Sequence, residues 1–328
     1  MRIIKVLIIT FILSCSLLVA CKKNSGRLIS KENVESLDGV EGNDTKTENE
    51  VDTDMQESRT DSEGNILVNE INFPDEDFRK FVEKFADSDG DLRLTQEEIE
   101  GVESIFVYGG DYGGGSTRYD DLESLEGISY FTNLKDLQCY ETHLKSLDCS
   151  LLKNLERLEI QNTDIQALDI SNNAKLKILD CYKNKIKELD LSNNTELEIL
   201  NVYDTDISEL DVSMLSNLQE LLCSGTNIED IDVSKNEKLQ SLDISETSVS
   251  KVDISNNKRL MGLYCINCTE MNDIDITNNE KLQELRIEGT GISKMDLSEC
   301  DDIYYVSCNQ DTVIEGVDDS IINRDNDN

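Results

Sequence analysis

Between Asp87 and Glu98 oxygen-bearing residues recur at a regular spacing: Asp87, Asp89 and Asp91 are followed by Thr95 and Glu98, with the carbonyl of Arg93 between them. Counted from Asp87, these fall at positions one, three, five, seven, nine and twelve of a single loop. Folding such a segment on itself gathers five side chains and one carbonyl around a point. A hard cation such as Ca2+, which takes about six to eight oxygens, requires that arrangement. Position six departs from it: the sharp turn favours glycine, the chain has Leu92, and a left-handed non-glycine residue costs about 1–2 kcal/mol. A solvated acidic turn between two helices is the other reading of these residues.

Other chemistry is thinly represented. His143 is the sole histidine and has no nucleophile at a recognised spacing. Carboxylates are abundant, but no pair is singled out for acid–base work. Tyr108–Gly115 is glycine-rich yet brackets no lysine, so it lacks phosphate-loop spacing. Cys265 and Cys268 form one C-x-x-C with no second pair and no nearby histidine. With 69 acidic against 31 basic residues the net charge is −38, which repels nucleic acid and anionic lipid headgroups. No catalytic residues are assigned, and binding is expected rather than catalysis.

The elements that must position the loop and any binding residues follow from a period. Leu134, Leu155, Leu176, Leu197, Leu218, Leu239, Leu260, Leu282 and Ile303 open successive units spaced 21 residues apart, with one step of 22. Within Leu176–Asn194 the apolar positions Leu176, Leu179, Cys181, Ile186, Leu189 and Leu191 recur in the other units. They predict a short strand that stacks in parallel on its neighbours, alternating in and out. These units resemble bacterial leucine-rich repeats of the 21-residue kind, L-x-x-L-x-L-x-x-N-x-L-x-x-L-D-L-x-x-N, over residues 122 to about 313. The fold class expected is a leucine-rich-repeat solenoid of stacked short parallel strands with irregular outer segments. The segment from Leu122 to Leu134 resembles internalin-type repeats, whose relatives mediate attachment to host surfaces, and this implies an adhesion role. The calcium-type loop in turn resembles an EF-hand, with Phe78–Phe85 as entering helix, Pro74 in its first turn, and Thr95 and Glu98 as capping box of the exiting helix.

The register assigns roles that composition hides. Cys139, Cys181, Cys223, Cys265 and Cys308 share one inward strand position, and Cys149 takes the slot of Ile170 and Leu191. Strands stack about 4.8 Å apart, so cysteines two coils apart are beyond disulfide reach and read as core. Thr142, Thr163, Asn184, Thr205, Thr226, Thr247, Thr290 and Asp311 occupy the family's asparagine-ladder position, which predicts a weakened ladder. The column Asp148, Asp169, Asp190, Asp211, Asp232, Asp253, Asp275 and Asp296 suits acceptance of turn amides, with ion or basic-partner binding as the other reading. On the outward face Tyr140, Tyr182 and Tyr203 share a column near Ile178, Ile199 and Leu222, making these six the candidate ligand-binding residues. Such a face suits a protein ligand and equally sugar rings, so an envelope glycan-binding lipoprotein stands as the second reading.

The ends complete the domain plan. Residues 1–20 read as a secretory leader, with Arg2 and Lys5 before the apolar run Val6–Leu13. The leader runs into Leu18-Val19-Ala20-Cys21, which resembles a bacterial lipobox and implies an acylated (palmitate-bearing) Cys21 anchoring the protein to the bacterial membrane, facing outside the cytoplasm. Residues 21–68 lack apolar periodicity and are expected to form a disordered acidic tether. Residues 69–101 form a helical cap, 102–133 a degenerate first repeat with the glycine-rich insertion, 134–313 the repeats, and 314–328 a C-terminal cap and tail.

Overall fold

The computed structural model describes residues 58–109 and 119–325. The leader, Cys21, most of the tether and most of the glycine-rich insertion lie outside the described residues. The chain begins with a small cap: strand β1 (Ile66–Leu67), helix α1 (Glu76–Phe85), strand β2 (Arg93–Leu94) and helix α2 (Gln96–Gly101). The described residues therefore begin about ten residues before the expected tether boundary at Val68. Thr60 bridges Ile66, Leu67 and Val68 are buried, and β1 pairs with β2 in antiparallel register. Ile66, Leu67 and Val68 supply the apolar surface that a disordered segment would lack.

Helix α1 starts at Glu76 because Asp75 caps it, one carboxylate oxygen accepting the Asp77 and Phe78 amides at 3.0 Å. Pro74 stands before that cap and not in the first turn. The second Asp75 oxygen accepts the Glu123 and Ser124 amides at 2.9 and 3.0 Å, so one side chain both starts the helix and ties it to the first repeat. Phe73, Phe78, Phe81 and Phe131 are buried together at this junction, with Phe73 and Phe78 packed edge to face. Gly127 sits at φ 98°, where a Cβ would lie 2.3 Å from the Asn72 carbonyl. Close approach as well as backbone conformation therefore demands glycine there.

The solenoid strands are β3 (Ser104–Tyr108), β4 (Asp136–Tyr140), β5 (Arg157–Glu159), β6 (Ile178–Asp180), β7 (Ile199–Asn201), β8 (Glu220–Leu222), β9 (Ser241–Asp243), β10 (Gly262–Tyr264), β11 (Glu284–Arg286), β12 (Lys294–Asp296), β13 (Tyr305–Asn309), β14 (Val313–Glu315) and β15 (Ile322–Asp325). Eleven of them form one parallel sheet from β3 to β15, while β12 and β14 pair separately in the last coils. Leu137, Leu158, Leu179, Leu200, Leu221, Leu242, Leu263 and Leu285 lie in register, all fully buried. The repeats run past residue 313: β15 pairs with β13, and Arg324 donates to the Thr312 carbonyl at 2.7 Å, closing the open end. The tail expected from residue 314 thus contributes the last strand of the sheet.

The eight described cysteines are free and buried, the six that the register placed in the core together with Cys268 and Cys300. Cys268 stands in the Thr163/Asn184 position of its coil, its thiol 3.0 Å from the Ile244 carbonyl. Each member of the aspartate column accepts the backbone amide two residues on, at 2.9–3.0 Å. Hydrogen bonds from that same residue hold all eight carboxyls below the usual carboxylate range. The column is a row of turn-forming acceptors.

At the expected ladder position the threonines bond the turn of their own coil, while Asn184 also reaches the Ile160 carbonyl of the preceding coil at 2.8 Å. Thr205, Thr226, Thr247 and Thr290 donate to the carbonyl three residues back, at 2.6–2.8 Å, within their own coil. The buried residues Asn173, Asn194, Asn236, Asn257 and Asn279 also bridge to the preceding coil. Asn257, for example, donates to the Val233 and Asn236 carbonyls of the preceding coil at 3.0 and 2.9 Å. A hydroxyl has one proton and a side-chain amide two, so only asparagine serves two carbonyls at once. Asn257→Ala should lower stability by about 1–3 kcal/mol in urea unfolding, because two buried hydrogen bonds are lost while each carbonyl keeps one backbone donor. Thr226→Val, which removes one hydrogen bond, should cost about 1 kcal/mol.

Candidate functional site

The cation loop joins α1 to α2 and is braced by β1, whose Leu67 pairs with Arg93 while Val68 donates to the Leu92 carbonyl at 2.9 Å. Leu92 adopts φ 61°, the left-handed turn that its loop position demands, and its side chain is exposed. Asp87 accepts the Gly90 and Leu92 amides, both at 2.8 Å, Asp89 the Asp91 amide, and Asp91 the Arg93 amide. Carboxylate oxygens of Asp87, Asp89 and Asp91 lie within 4.8 Å of one another. Three of the six expected ligands are thereby brought together, and their chemistry fits a hard cation.

Glu98 and Thr95 are hydrogen-bonded to each other. One Glu98 oxygen accepts the amide and hydroxyl of Ser88, at 2.7 and 2.6 Å, and the other accepts the amide and hydroxyl of Thr95, completing the expected capping box. Burial opposes ionisation of Glu98, but the hydrogen bonds from Ser88 and Thr95 outweigh it and bring its pKa down to about 2. Arg93 lies in β2, its guanidinium against Asp61 and Asp91.

The second site is the exposed sheet face. Ile178 and Ile199 are direct register partners, the Tyr182 and Tyr203 rings are 6.1 Å apart, and Leu222 pairs with Asn201 one strand further on. These five form one contiguous patch. Tyr140 does not join it, because the buried Gln161 stands between it and Tyr182; it stacks instead on Tyr108 at 6.0 Å. Tyr108 escaped sequence reading because its unit is degenerate, and only the β3–β4 register places it in the column.

Carboxylates are interleaved with these apolar groups. Burial pushes Asp136, Glu159 and Asp243 upward and takes Asp180 and Glu220 to about 7. The two arginines of this face are committed: Arg157 to Glu159 at 2.7 Å, and Arg286 to Glu284 at 2.6 Å while it lies over the Tyr264 and Tyr305 rings. Glu220 has no hydrogen-bond or ion-pair partner among the described residues.

The fold is that of a leucine-rich-repeat solenoid with a small helical cap, similar to solved internalins. An internalin, inlF, from Listeria monocytogenes is 20% identical, with 73% of this chain and 70% of that one covered at a TM-score of 0.64. Internalin C2 from the same organism is 18% identical, with 75% of this chain and 97% of that one covered at a TM-score of 0.50. No family model matches the sequence, and no curated protein matches it. At these identities the shared property is the fold.

The Glu220 environment gives a signed expectation. Its folded pKa of about 7 lies above the unfolded value of about 4.3, so the charged form costs stability fully above pH 7 and not at all below about pH 4. Glu220→Gln should raise the melting temperature by a few degrees at pH 8. The gain should shrink toward zero as pH falls to 4, as scanning calorimetry across that range would show.

Proposed function

We propose that this chain is a lipid-anchored, surface-displayed binding protein that recognises a protein ligand, on a host or a neighbouring cell, through its sheet face, with one structural Ca2+ in the cap. The observation that carries the reading is the contiguous patch of Ile178, Tyr182, Ile199, Tyr203 and Leu222, rimmed by polar side chains on a parallel sheet. Tyrosine anchors inside a polar rim are the composition of protein-binding hot spots. A solenoid also holds such a patch rigidly, because each strand is fixed by its neighbours. The lipobox-like Leu18–Cys21 supports the anchor, and relatives with host-attachment roles, suggested by the internalin-type repeats, support adhesion.

Among proteins retained from host-cell surface extracts, Tyr182→Ala combined with Tyr203→Ala should cut capture of the specific partner at least about tenfold. Undiminished capture would remove the site. Strong hits for the unmodified chain on a glycan array would turn the reading toward sugar. That alternative has its own support in the stacked Tyr108 and Tyr140 pair, a flat aromatic platform.

The calcium role rests on the convergence of Asp87, Asp89 and Asp91. A full coordination shell needs Glu98 to exchange its Ser88 and Thr95 hydrogen bonds for the ion, and that exchange, with Leu92 at the sharp turn, points to a weak site. Isothermal titration of the chain with Ca2+ should show one site, with a dissociation constant of roughly 10 μM to 1 mM. Asp89→Asn should abolish it while leaving the Asp87 turn hydrogen bonds intact. No heat at millimolar Ca2+ would sink the assignment.

A further inference from the structure

Beside the tyrosine and isoleucine patch the sheet face is interrupted by a groove of about 250 Å³. Its origin is a pair of small residues in register: Glu220 pairs with Ser241, Ser241 with Gly262 and Gly262 with Glu284, so at this one position two consecutive strands carry almost no outward side chain. Leu222 and Ile199 line one side and the Tyr264 ring the other. Tyr264 is held in place by its hydroxyl, which donates to Glu284 at 3.1 Å, and its oxygen would lie 2.8 Å from a Cβ at position 262. Within this apolar frame stand the Glu220 and Asp243 carboxylates. Asp243 accepts the Ser245 amide at 2.9 Å, and Glu220 has no partner among the described residues.

An unpaired, half-buried carboxylate costs stability, and the same register position two and one strands earlier carries isoleucine, Ile178 and Ile199. The groove is smaller than the roughly 300–1,000 Å³ of small-molecule pockets, so it suits one long side chain. Apolar walls with anionic oxygens suit an aliphatic stem ending in a cation. Arg286, three strands on in β11, is already bound to Glu284 and leaves Glu220 unneutralised. Ile199 and Leu222 belong both to the patch and to the groove wall, so a segment lying across the patch delivers its side chains here.

We propose that this groove is a specificity pocket for a lysine or arginine side chain of a basic protein segment, with Glu220 and Asp243 receiving the cation and Leu222 and Tyr264 enclosing its stem. The proposal rests on the sheet face being the binding surface and deepens that reading by giving the partner's chemistry.

The test is titration of the full chain with tetralysine at physiological salt, where the Debye length of about 8 Å screens the bulk negative field. Glu220→Gln combined with Asp243→Asn should weaken binding at least about tenfold. Glu188→Gln combined with Glu209→Gln, which removes equal charge at exposed sites off the sheet, should leave it within about twofold. Gly262→Ala, which displaces the Tyr264 ring, should also weaken binding, and tetra-acetyl-lysine should not bind. Equal losses for the two charge pairs, or none for the Glu220 and Asp243 pair, would overturn the proposal. Tetralysine requires no physiological partner and no contact with Tyr182 or Tyr203. Its failure therefore leaves the general reading of the face standing, whereas loss of partner capture on Tyr182 and Tyr203 replacement bears on that reading alone.

Discussion

No strand of this solenoid finds its backbone partners within its own coil. Each strand takes its backbone partners from the coils before and after it, and each inward leucine is covered by the leucines in register on either side. The asparagines Asn194, Asn236, Asn257 and Asn279 fasten the opposite side of each coil with the same neighbour-to-neighbour logic. This coupling makes the regular spacing of the sequence a physical requirement, since a one-residue slip would turn the leucines outward. It also explains the ends. A terminal coil has an apolar face and no neighbour, so the phenylalanine-rich cap at one end and β15 with Arg324 at the other are part of the same construction.

The asparagine ladder carries a cost of its own. The side-chain oxygens of Asn194, Asn236, Asn257 and Asn279 are buried and unpartnered, while both amide protons are used. The two hydrogen bonds to carbonyls of the preceding coil offset the bare oxygen, each contributing about 0.5–1.5 kcal/mol. Asn173 avoids the penalty, as its oxygen meets the Cys149 thiol at 3.2 Å. The cysteines here serve as small core groups whose thiols find carbonyls or side-chain oxygens locally, as Cys268 does with Ile244.

The rigidity that stacking confers lets the sheet face hold charges where water cannot fully reach them. Asp180 and Glu220 stand among isoleucine, leucine and tyrosine side chains, and burial raises both. In contrast, the eight aspartates of the turn column are exposed, receive amide protons and sit below the usual range. Composition counts both groups alike as acid. Their environments separate them into groups that stabilise turns and groups whose charge the fold tolerates at a cost, which is the usual mark of a surface kept for an interaction.

The repeat period, the inward positions, the cysteines as core, the aspartate turns and the left-handed Leu92 were all legible in the residues, because each follows from local spacing or from one residue's own backbone. The sequence register did not reveal that Asn173, Asn194, Asn236, Asn257 and Asn279 reach carbonyls of the preceding coil, since where these side chains point depends on how the coils are stacked. It stopped the solenoid at residue 313, because β15 lacks the repeat pattern and is recruited by pairing alone. It set six cation ligands around one point, and the fold shows the Asp87, Asp89 and Asp91 carboxylates together, with Glu98 hydrogen-bonded to Ser88 and Thr95. The period thus determined the architecture by itself. The desolvation of Glu220, the gap above Gly262 and the separation of Tyr140 from Tyr182 arise only between coils, from residues about one repeat length apart. Tertiary structure alone decided them.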